Sequence, residues 1–432
     1  MKPSTHNNNQ LISVEAALKT ILNQIAPVEM ELIPLTGGLH RVLAEPIVAQ
    51  VNVPPFANSA MDGYAVIAAD TAGATRQTPV RLQVVDNIPA GAASNTLLRS
   101  KTAARIMTGA PVPPGTTAVV RFEETSEYVS SAIQKPAANE VLIYRAVADG
   151  DNVRPAGEDI RVGQTLLPAG HRLRPQDVGV LAAIGQANIA VFRRPRVAIL
   201  ATGDELVDVD EPIEPGKIRN SNGYTQAALV QKYGGEPVML GIARDNVADL
   251  TAKIHAGLEQ RVDLFLTSAG VSIGDFDMVK NVLAAEGEMQ FWQVAIKPGK
   301  PLAFGLLHDH RPGGRPPVPL IGLPGNPVAA MVAFEVFARP AILKLGGQRA
   351  WEKNKLLATL DEEITNSGRR HYMRGFVKLE EDGYHVTTHG SGVQVQGSGI
   401  LTSMVWANCM VVVPERVTYL SPGAQVEVWL LD

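Results

Sequence analysis

The stretch RVAILATGDEL, residues 196–206, decides the fold class of this chain. Residues 197–201 are an unbroken apolar run, which is typical of a strand buried on both faces, and they lead directly into a polar loop with Asp204 and Glu205. Strands of this kind occur in parallel sheets that carry helices on both faces. The stretch therefore predicts an α/β domain with a mostly parallel sheet.

Three later stretches repeat this pattern of an apolar run followed by a polar loop. The loops carry Asp245 after residues 238–242, then Ser268, Gly270, Ser272, Asp275 and Asp277 after residues 264–266, then Gly325 and Asn326 after residues 320–321. Because the carboxyl ends of parallel strands share one edge of a sheet, we expect the loops to meet there. Helix N-termini and backbone N–H groups at that edge favour anions, and the carboxylates could hold Mg²⁺. In the alternative interpretation, Asp204, Asp245 and Asp275 only cap helices.

Positive side chains occur on a rigid turn and near the C-terminus. Residues 296–301, IKPGKP, place Lys297 and Lys300 on a proline-stiffened turn, which suits fixed charges for an anion. The alternative is a turn with two ordinary surface lysines. Three arginines near the C-terminus, Arg369, Arg370 and Arg374, offer forked donors to an oxyanion or are surface charges.

The rest of the chain predicts three further units. Ser13 is placed to cap an amphipathic helix, residues 54–146 contain short apolar runs broken by proline and glycine, and alternation returns after residue 347 with an Asp382-Gly383 hairpin signal and a strand over residues 405–413. We expect these domains: an N-terminal mixed α/β domain (1–53 and 147–193), an inserted β module (54–146), the α/β domain (194–347) and a C-terminal β-barrel (348–432).

Composition excludes several classes of protein. In 432 residues, 39 basic and 43 acidic residues nearly balance, which disfavours a nucleic-acid track and a basic membrane-docking face. The single cysteine, Cys409, excludes an intrachain disulfide and lies in an apolar run, so we expect a buried core thiol. No apolar run approaches ~18 residues, so we expect no membrane span and a cytoplasmic protein. A dinucleotide fingerprint and a Walker A motif are missing from the sequence.

The segment PFANSAMDGYA, residues 55–65, resembles the signature of the MoeA/gephyrin E-domain family of molybdopterin molybdenumtransferases. Further segments follow in the family's order: RIMTGAP (105–111), RPAGEDI (154–160), TGDEL (202–206), GVSIGDFD (270–277), KPGKP (297–301) and LPGNP (323–327). The resemblance covers nearly the whole chain. It implies a four-domain architecture with a MogA-like, molybdopterin-binding three-layer α/β domain and a C-terminal β-barrel.

The resemblance also implies a function. It implies a transferase of molybdenum cofactor biosynthesis that inserts molybdate, its second substrate, into molybdopterin-AMP with Mg²⁺-dependent release of AMP. It further implies an elongated homodimer and a transient contact with the molybdopterin adenylyltransferase.

Site residues are carried over from the family where the motifs match. By this resemblance, a cleft completed across the dimer is built with Asp62, Thr108 and Asp159, and nucleotide and magnesium are oriented by Glu205, Asp245 and Asp277, with Asp275 a further candidate ligand. Phosphate or oxyanion is faced by Ser272, Lys297 and Lys300, and the substrate loop is shaped by Pro324 and Pro327. Molybdate is bound by Arg374 and Ser398, with Arg369 or Ser403 as substitutes.

Two other functions stay open, and two residues depart from the family pattern. A non-catalytic scaffold or carrier is disfavoured by the retained acidic loops and lysines, and a nucleotide pyrophosphatase or adenylyltransferase of the same superfold by the extra domains. Many members have glycine where this chain has Ala269, and lysine where it has Gln293. We expect these departures to change substrate affinity rather than the type of reaction.

Overall fold

The structure is a computed structural model that describes residues 11–128, 137–268, 282, 285–309, 316–389 and 396–431. The predicted multidomain fold, with an α/β domain and a C-terminal β-barrel, is confirmed. Among the described residues, no helix combines the length and apolarity needed to cross a membrane.

The first helix, α1 (Val14–Asn23), packs against the α/β domain. Ser13 accepts a hydrogen bond at Oγ from the Ala16 N–H at 3.2 Å, so it caps the helix as predicted. The buried face of α1, with Ile21 fully buried, joins the same apolar cluster as Phe337. Three short strands follow: β1 (Met30–Pro34), β2 (Ile47–Val48) and β3 (Asn58–Ser59).

A five-stranded sheet follows in the chain, with strand order β7-β4-β6-β5-β8. Its strands are β4 (Gly63–Val66), β5 (Val80–Ile88), β6 (Thr102–Ile106), β7 (Ala118–Arg121) and β8 (Glu140–Ile143). The antiparallel register pairs Gly63 with Ile106, so Asp62, just before β4, lies beside Thr108, just after β6.

The chain then returns to the strands that precede this sheet. The returning elements are β9 (Val153–Arg154), β10 (Thr165–Leu167), α2 (Pro175–Ala183) and β11 (Asn188–Phe192). Strand β9 pairs with β3, β10 with β2 and β11 with β1, all antiparallel. The two segments that flank the five-stranded sheet therefore pair with each other.

The α/β domain is built on a six-stranded sheet with the order β15-β12-β16-β20-β19-β17. Its strands and helices are β12 (Arg196–Thr202), β13 (Leu206–Val207), β14 (Ile218–Arg219), α3 (Ser221–Lys232), β15 (Glu236–Ala243), α4 (Val247–Glu259), β16 (Leu264–Ser268), β17 (Gly287–Gln293), β18 (Ile296–Lys297), β19 (Pro301–Leu307), β20 (Val318–Leu323), α5 (Pro327–Ala333), a π-helical segment (Phe334–Ala338) and α6 (Arg339–Leu345). The four strands β15, β12, β16 and β20 run parallel. Strand β19 runs antiparallel to β20, and β17 runs antiparallel to β19. Every residue of β16 and β20 is buried, as the unbroken apolar runs predict.

The C-terminal domain is a closed five-stranded barrel. Its elements are β21 (Lys355–Leu360), β22 (Ile364–Thr365), β23 (Arg370–Glu380), β24 (Gly383–Thr387), α7 (Thr402–Trp406), β25 (Cys409–Val413), β26 (Tyr419–Leu420) and β27 (Gln425–Leu430). The ring runs β23-β24-β21-β27-β25 and closes by pairing of β25 with β23. The predicted hairpin at Asp382-Gly383 is confirmed, and Gly383 takes the positive φ (+136°) that favours glycine.

The strand predicted over residues 405–413 is wrong at its start. Residues 402–406 are helical, and β25 begins at Cys409. The Asn408 side chain explains this boundary, because it donates to the Val377 carbonyl and accepts from the Val377 N–H, each at 2.8 Å. The amide thus takes the place of a strand backbone opposite Val377. Strand β18 pairs in parallel with β23 and joins the α/β domain to the barrel.

Candidate functional site

A cleft of about 640 Å³ opens where the carboxyl ends of the parallel strands face the barrel. Glu205 follows β12, Ser268 ends β16 and Pro324 follows β20, so the edge predicted from the sequence supplies one wall. The turn between β18 and β19, together with residues of the barrel, supplies the other wall. The cleft is thus a junction of two domains.

Among the charged side chains in the described lining of the cleft, positive ones outnumber negative ones. Arg219, Lys297, Lys300 and Arg369 contribute cationic groups, whereas Glu205 is the one carboxylate among the described lining residues. A concave surface with an excess of one sign of charge concentrates ligands of the opposite sign. The cleft is therefore suited to an anion.

The lysine turn is fixed by backbone contacts to both domains. Lys297 lies opposite His371 in the parallel pairing of β18 with β23, and the Lys300 carbonyl accepts from the Val294 N–H at 2.7 Å. Gly299 between them has φ of +102°, which favours glycine. Both predicted lysines line the cleft on a rigid turn, as the sequence indicated.

The loop after β20 connects the α/β domain to the barrel. Both prolines of this loop, Pro324 and Pro327, line the cleft. Asn326 Nδ2 donates to Ser398 Oγ at 3.1 Å, and the Ser398 carbonyl accepts from the Val328 N–H at 3.0 Å. These bonds bring Ser398, predicted as an oxyanion contact, into the same lining.

The predicted acidic residues are only partly described. The loops after β12 and β15 interlock, because the Asp204 N–H donates to Asp245 Oδ2 at 3.3 Å and the Asp245 N–H donates to Asp204 Oδ1 at 3.2 Å. Glu205 lines the cleft, and its carboxylate lies against Gly203. A Cβ atom on residue 203 would lie 2.3 Å from Glu205 Oε2. Asp245 is on the adjoining loop but outside the described lining. Three further predicted residues lie outside the described residues: Ser272, Asp275 and Asp277.

Asp62, Thr108 and Asp159 lie elsewhere in the chain. Asp62 Oδ1 accepts from the Thr108 N–H at 2.7 Å and the Thr108 hydroxyl at 2.8 Å, and these bonds lower the pKa of the Asp62 carboxyl. Asp159 is exposed. None of the three belongs to the described lining of the cleft in the same chain. Their predicted role across a dimer stays a prediction.

Arg374, predicted to bind molybdate, lies outside the described lining of the cleft. Its side chain is 0% exposed, and it donates to the Ser403 hydroxyl and to the Gly397 carbonyl, each at 3.0 Å. It therefore supports the loop that carries Ser398. Arg369, named as a substitute, lines the cleft instead.

Sequence reasoning missed His371 and the beginning of α3. His371 lines the cleft although it is only 4% exposed, and burial and the nearby charges of Lys297, Arg374 and Arg369 lower its pKa to about 3. No sequence signal marks a histidine of this kind. Asn220, which caps α3 by accepting from the Gly223 N–H at 3.0 Å, and the next two residues also line the cleft. Their signal was an N-cap residue that precedes a helix.

Comparison with known families gives three matches that together cover most of the chain. The description "MoeA N-terminal region (domain I and II)" matches residues 12–185, "Probable molybdopterin binding domain" matches residues 198–344, and "MoeA C-terminal region (domain IV)" matches residues 358–431. The second of these matches contains Glu205 and the lysine turn, and the third contains Arg369 and His371. The cleft therefore lies between two of the matched regions.

Curated relatives and a solved structure match at nearly full length. The chain is 35% identical to the molybdopterin molybdenumtransferase of Haemophilus influenzae, over 97% of this chain and 98% of that one, and 36% identical to the Nostoc protein of the same name, over 98% and 94%. The crystal structure of the molybdopterin biosynthesis MoeA protein from Pyrococcus horikosii matches with a TM-score of 0.81 and 32% identity, over 98% of this chain and all of that one. The chain therefore belongs to the MoeA family of molybdopterin molybdenumtransferases.

Proposed function

We propose that this chain inserts molybdate into adenylylated molybdopterin and releases AMP in a Mg²⁺-dependent reaction. The observation that carries the proposal is the convergence of Lys297, Lys300 and Arg369 on one cleft from two domains. Molybdate and the pyrophosphate of the nucleotide are both anions, and cationic N–H donors bind such groups with strong hydrogen bonds. The names of full-length relatives support molybdopterin as the substrate class.

The cationic groups have separate tasks in this proposal. Arg369 donates to the Ile296 carbonyl at a long 3.4 Å, which leaves N–H donors of its guanidinium for an oxyanion beside Ser398. Lys297 and Lys300 neutralise negative charge on the pyrophosphate as one water molecule cleaves it and AMP leaves. Molybdate forms two bonds to the dithiolene sulfurs, and the oxygen that it gives up leaves as water with the thiol protons. Positioning and charge neutralisation account for the catalysis, so the reaction needs no protein nucleophile.

The acidic loops fit magnesium. Mg²⁺ prefers hard oxygen ligands and is held in nucleotide sites by about one or two carboxylates together with substrate phosphate. Glu205 in the cleft and Asp245 on the interlocked loop beside it offer such carboxylates, and Asp275 and Asp277 are further candidates in residues that are not described. When bound, the ion neutralises charge on the phosphate oxygens.

We also propose that two chains form a homodimer in which the Asp62–Thr108 pair and Asp159 of one chain complete the cleft of the other. Support comes from the fixed geometry of that pair and from its position outside the described lining of its own cleft. Mixing Asp62→Asn chains with Glu205→Gln chains tests this arrangement. If each site combines residues of both chains, a mixed dimer contains one intact site and activity returns. If each site is built within one chain, both sites of the mixed dimer carry a substitution and activity does not return.

One assay tests the reaction. Supplied with molybdopterin-AMP, molybdate and Mg²⁺, the chain should release AMP and form active cofactor together, and Lys297→Met should lose both. Lys378→Met is the matched control, because Lys378 pairs with Glu380 on the barrel, away from the cleft. AMP release without cofactor formation indicates a pyrophosphatase, and the lack of both products indicates a scaffold.

A further inference from the structure

His371 is a buried residue of the cleft wall, and one nitrogen of its ring has no partner in the part of the chain that the structure describes. It lies on β23 opposite Lys297 of β18 and lines the cleft at 4% exposure. Its Nδ1 atom is buried and has no hydrogen-bond partner among the described residues. Because a buried polar atom without a partner costs free energy, such an atom in a binding cleft calls for a partner supplied by the ligand.

Among the described residues, the charges that act on the pKa of the ring are positive. Lys297 faces it from β18, Arg374 lies on the same strand and Arg369 just before that strand, whereas Val413 lies opposite on β25. Burial and these three cations keep the pKa of His371 at about 3, so without a ligand the imidazole is neutral near neutral pH. A neutral ring among cations can gain a proton only when a negative charge arrives.

We propose that His371 contacts the oxyanion bound in this cleft and takes up one proton when a doubly charged oxyanion binds. The choice of molybdate as that oxyanion rests on the proposed function. A dianion among Lys297, Arg369 and His371 offsets the repulsion that keeps the ring neutral. The imidazolium then donates a charge-assisted hydrogen bond to an oxygen of the ligand.

A linked proton makes oxyanion binding depend on pH with a definite sign. The pKa of His371 is low in the free chain and higher in the complex, so the complex binds the extra proton. Affinity therefore rises as the pH falls below the pKa of the complex, by at most about tenfold per pH unit, and is flat above it.

The experiment measures molybdate binding to the whole chain by equilibrium dialysis between about pH 6 and pH 9, with His371→Gln as the test variant. Glutamine can still form a hydrogen bond but cannot titrate, so the variant should bind with a nearly constant affinity. His385→Gln is the matched control. His385 bonds to Asp361 and Asp382 on the barrel surface, which raise its pKa, and its replacement should leave the wild-type pH dependence unchanged.

A second measurement does not depend on the folding of a variant. Calorimetry of wild-type chain with molybdate, in two buffers of different ionisation enthalpy, should reveal uptake of up to one proton for each oxyanion bound. A pH-independent affinity, no proton uptake, no molybdate binding, or a His371→Gln chain that keeps the pH dependence overturns the inference. If one of these outcomes is found and the wild-type chain still forms cofactor, the inference fails and the proposed function holds. If molybdate binding is linked to proton uptake but no cofactor forms, the inference holds and the proposed function fails.

Discussion

Replacing Arg374 by methionine tests whether this guanidinium builds the cleft or binds the substrate. Its bonds to the Ser403 hydroxyl and the Gly397 carbonyl are charge-assisted, the first buried and the second partly buried. Burial lowers the pKa of Arg374 to about 10, so the guanidinium stays charged near neutral pH. Each such bond contributes about 1.5–3 kcal/mol, and relief of the buried charge offsets part of the loss. We expect Arg374→Met to lower the free energy of unfolding of the barrel by about 2–4 kcal/mol.

Arg369→Met is the matched variant, because Arg369 lines the cleft and makes a single long described bond, to the Ile296 carbonyl. It should change stability by less than about 1 kcal/mol but raise the molybdate concentration for half-maximal activity by about 10- to 150-fold, the equivalent of one charge-assisted bond. Thermal unfolding and cofactor formation at varied molybdate are measured for both variants. The reasoning is refuted if Arg374→Met unfolds like the wild type while needing more molybdate, or if Arg369→Met needs no more than the wild type.

Three further predictions concern the metal, a turn and the cysteine. Glu205→Gln and Asp245→Asn should each slow AMP release by ~10²-fold or more at saturating Mg²⁺, because carboxylates that serve the metal act on the transition state; an unchanged rate removes that residue from the role. Gly347→Ala should cost about 2 kcal/mol or more in chemical denaturation, since φ is +80° and the new Cβ would lie 1.9 Å from Phe192; an unchanged midpoint contradicts this. Burial raises the pKa of the Cys409 thiol to about 12, so a thiol reagent at neutral pH should modify it only after unfolding, and labelling of the native chain would contradict its burial.

Local patterns were sufficient for much of the fold. The unbroken apolar runs of β12, β16 and β20 predicted strands buried on both faces, because no polar side chain in them could face solvent. Parallel strands place their carboxyl ends at one edge, so the shared position of Glu205 and Pro324 also followed from the order of the elements. The rigid turn with Lys297 and Lys300 and the helix cap at Ser13 could be predicted, because each depends on residues that are adjacent in the sequence.

The barrel side of the cleft depended on tertiary structure. Along β23 successive side chains point to opposite faces, so Arg370 bonds to Glu415 and Tyr372 enters the core, whereas His371 between them lines the cleft. A shift of one residue in the pairing with β18 would reverse these positions, and that register is a long-range property. Sequence therefore determined the sheet and its loops, and it predicted a site for an anion at their edge. Only the packing of barrel against sheet decided that Arg369 and His371 line the cleft while Arg374 is buried outside its described lining, because contact between distant segments is set by register and burial rather than by local pattern.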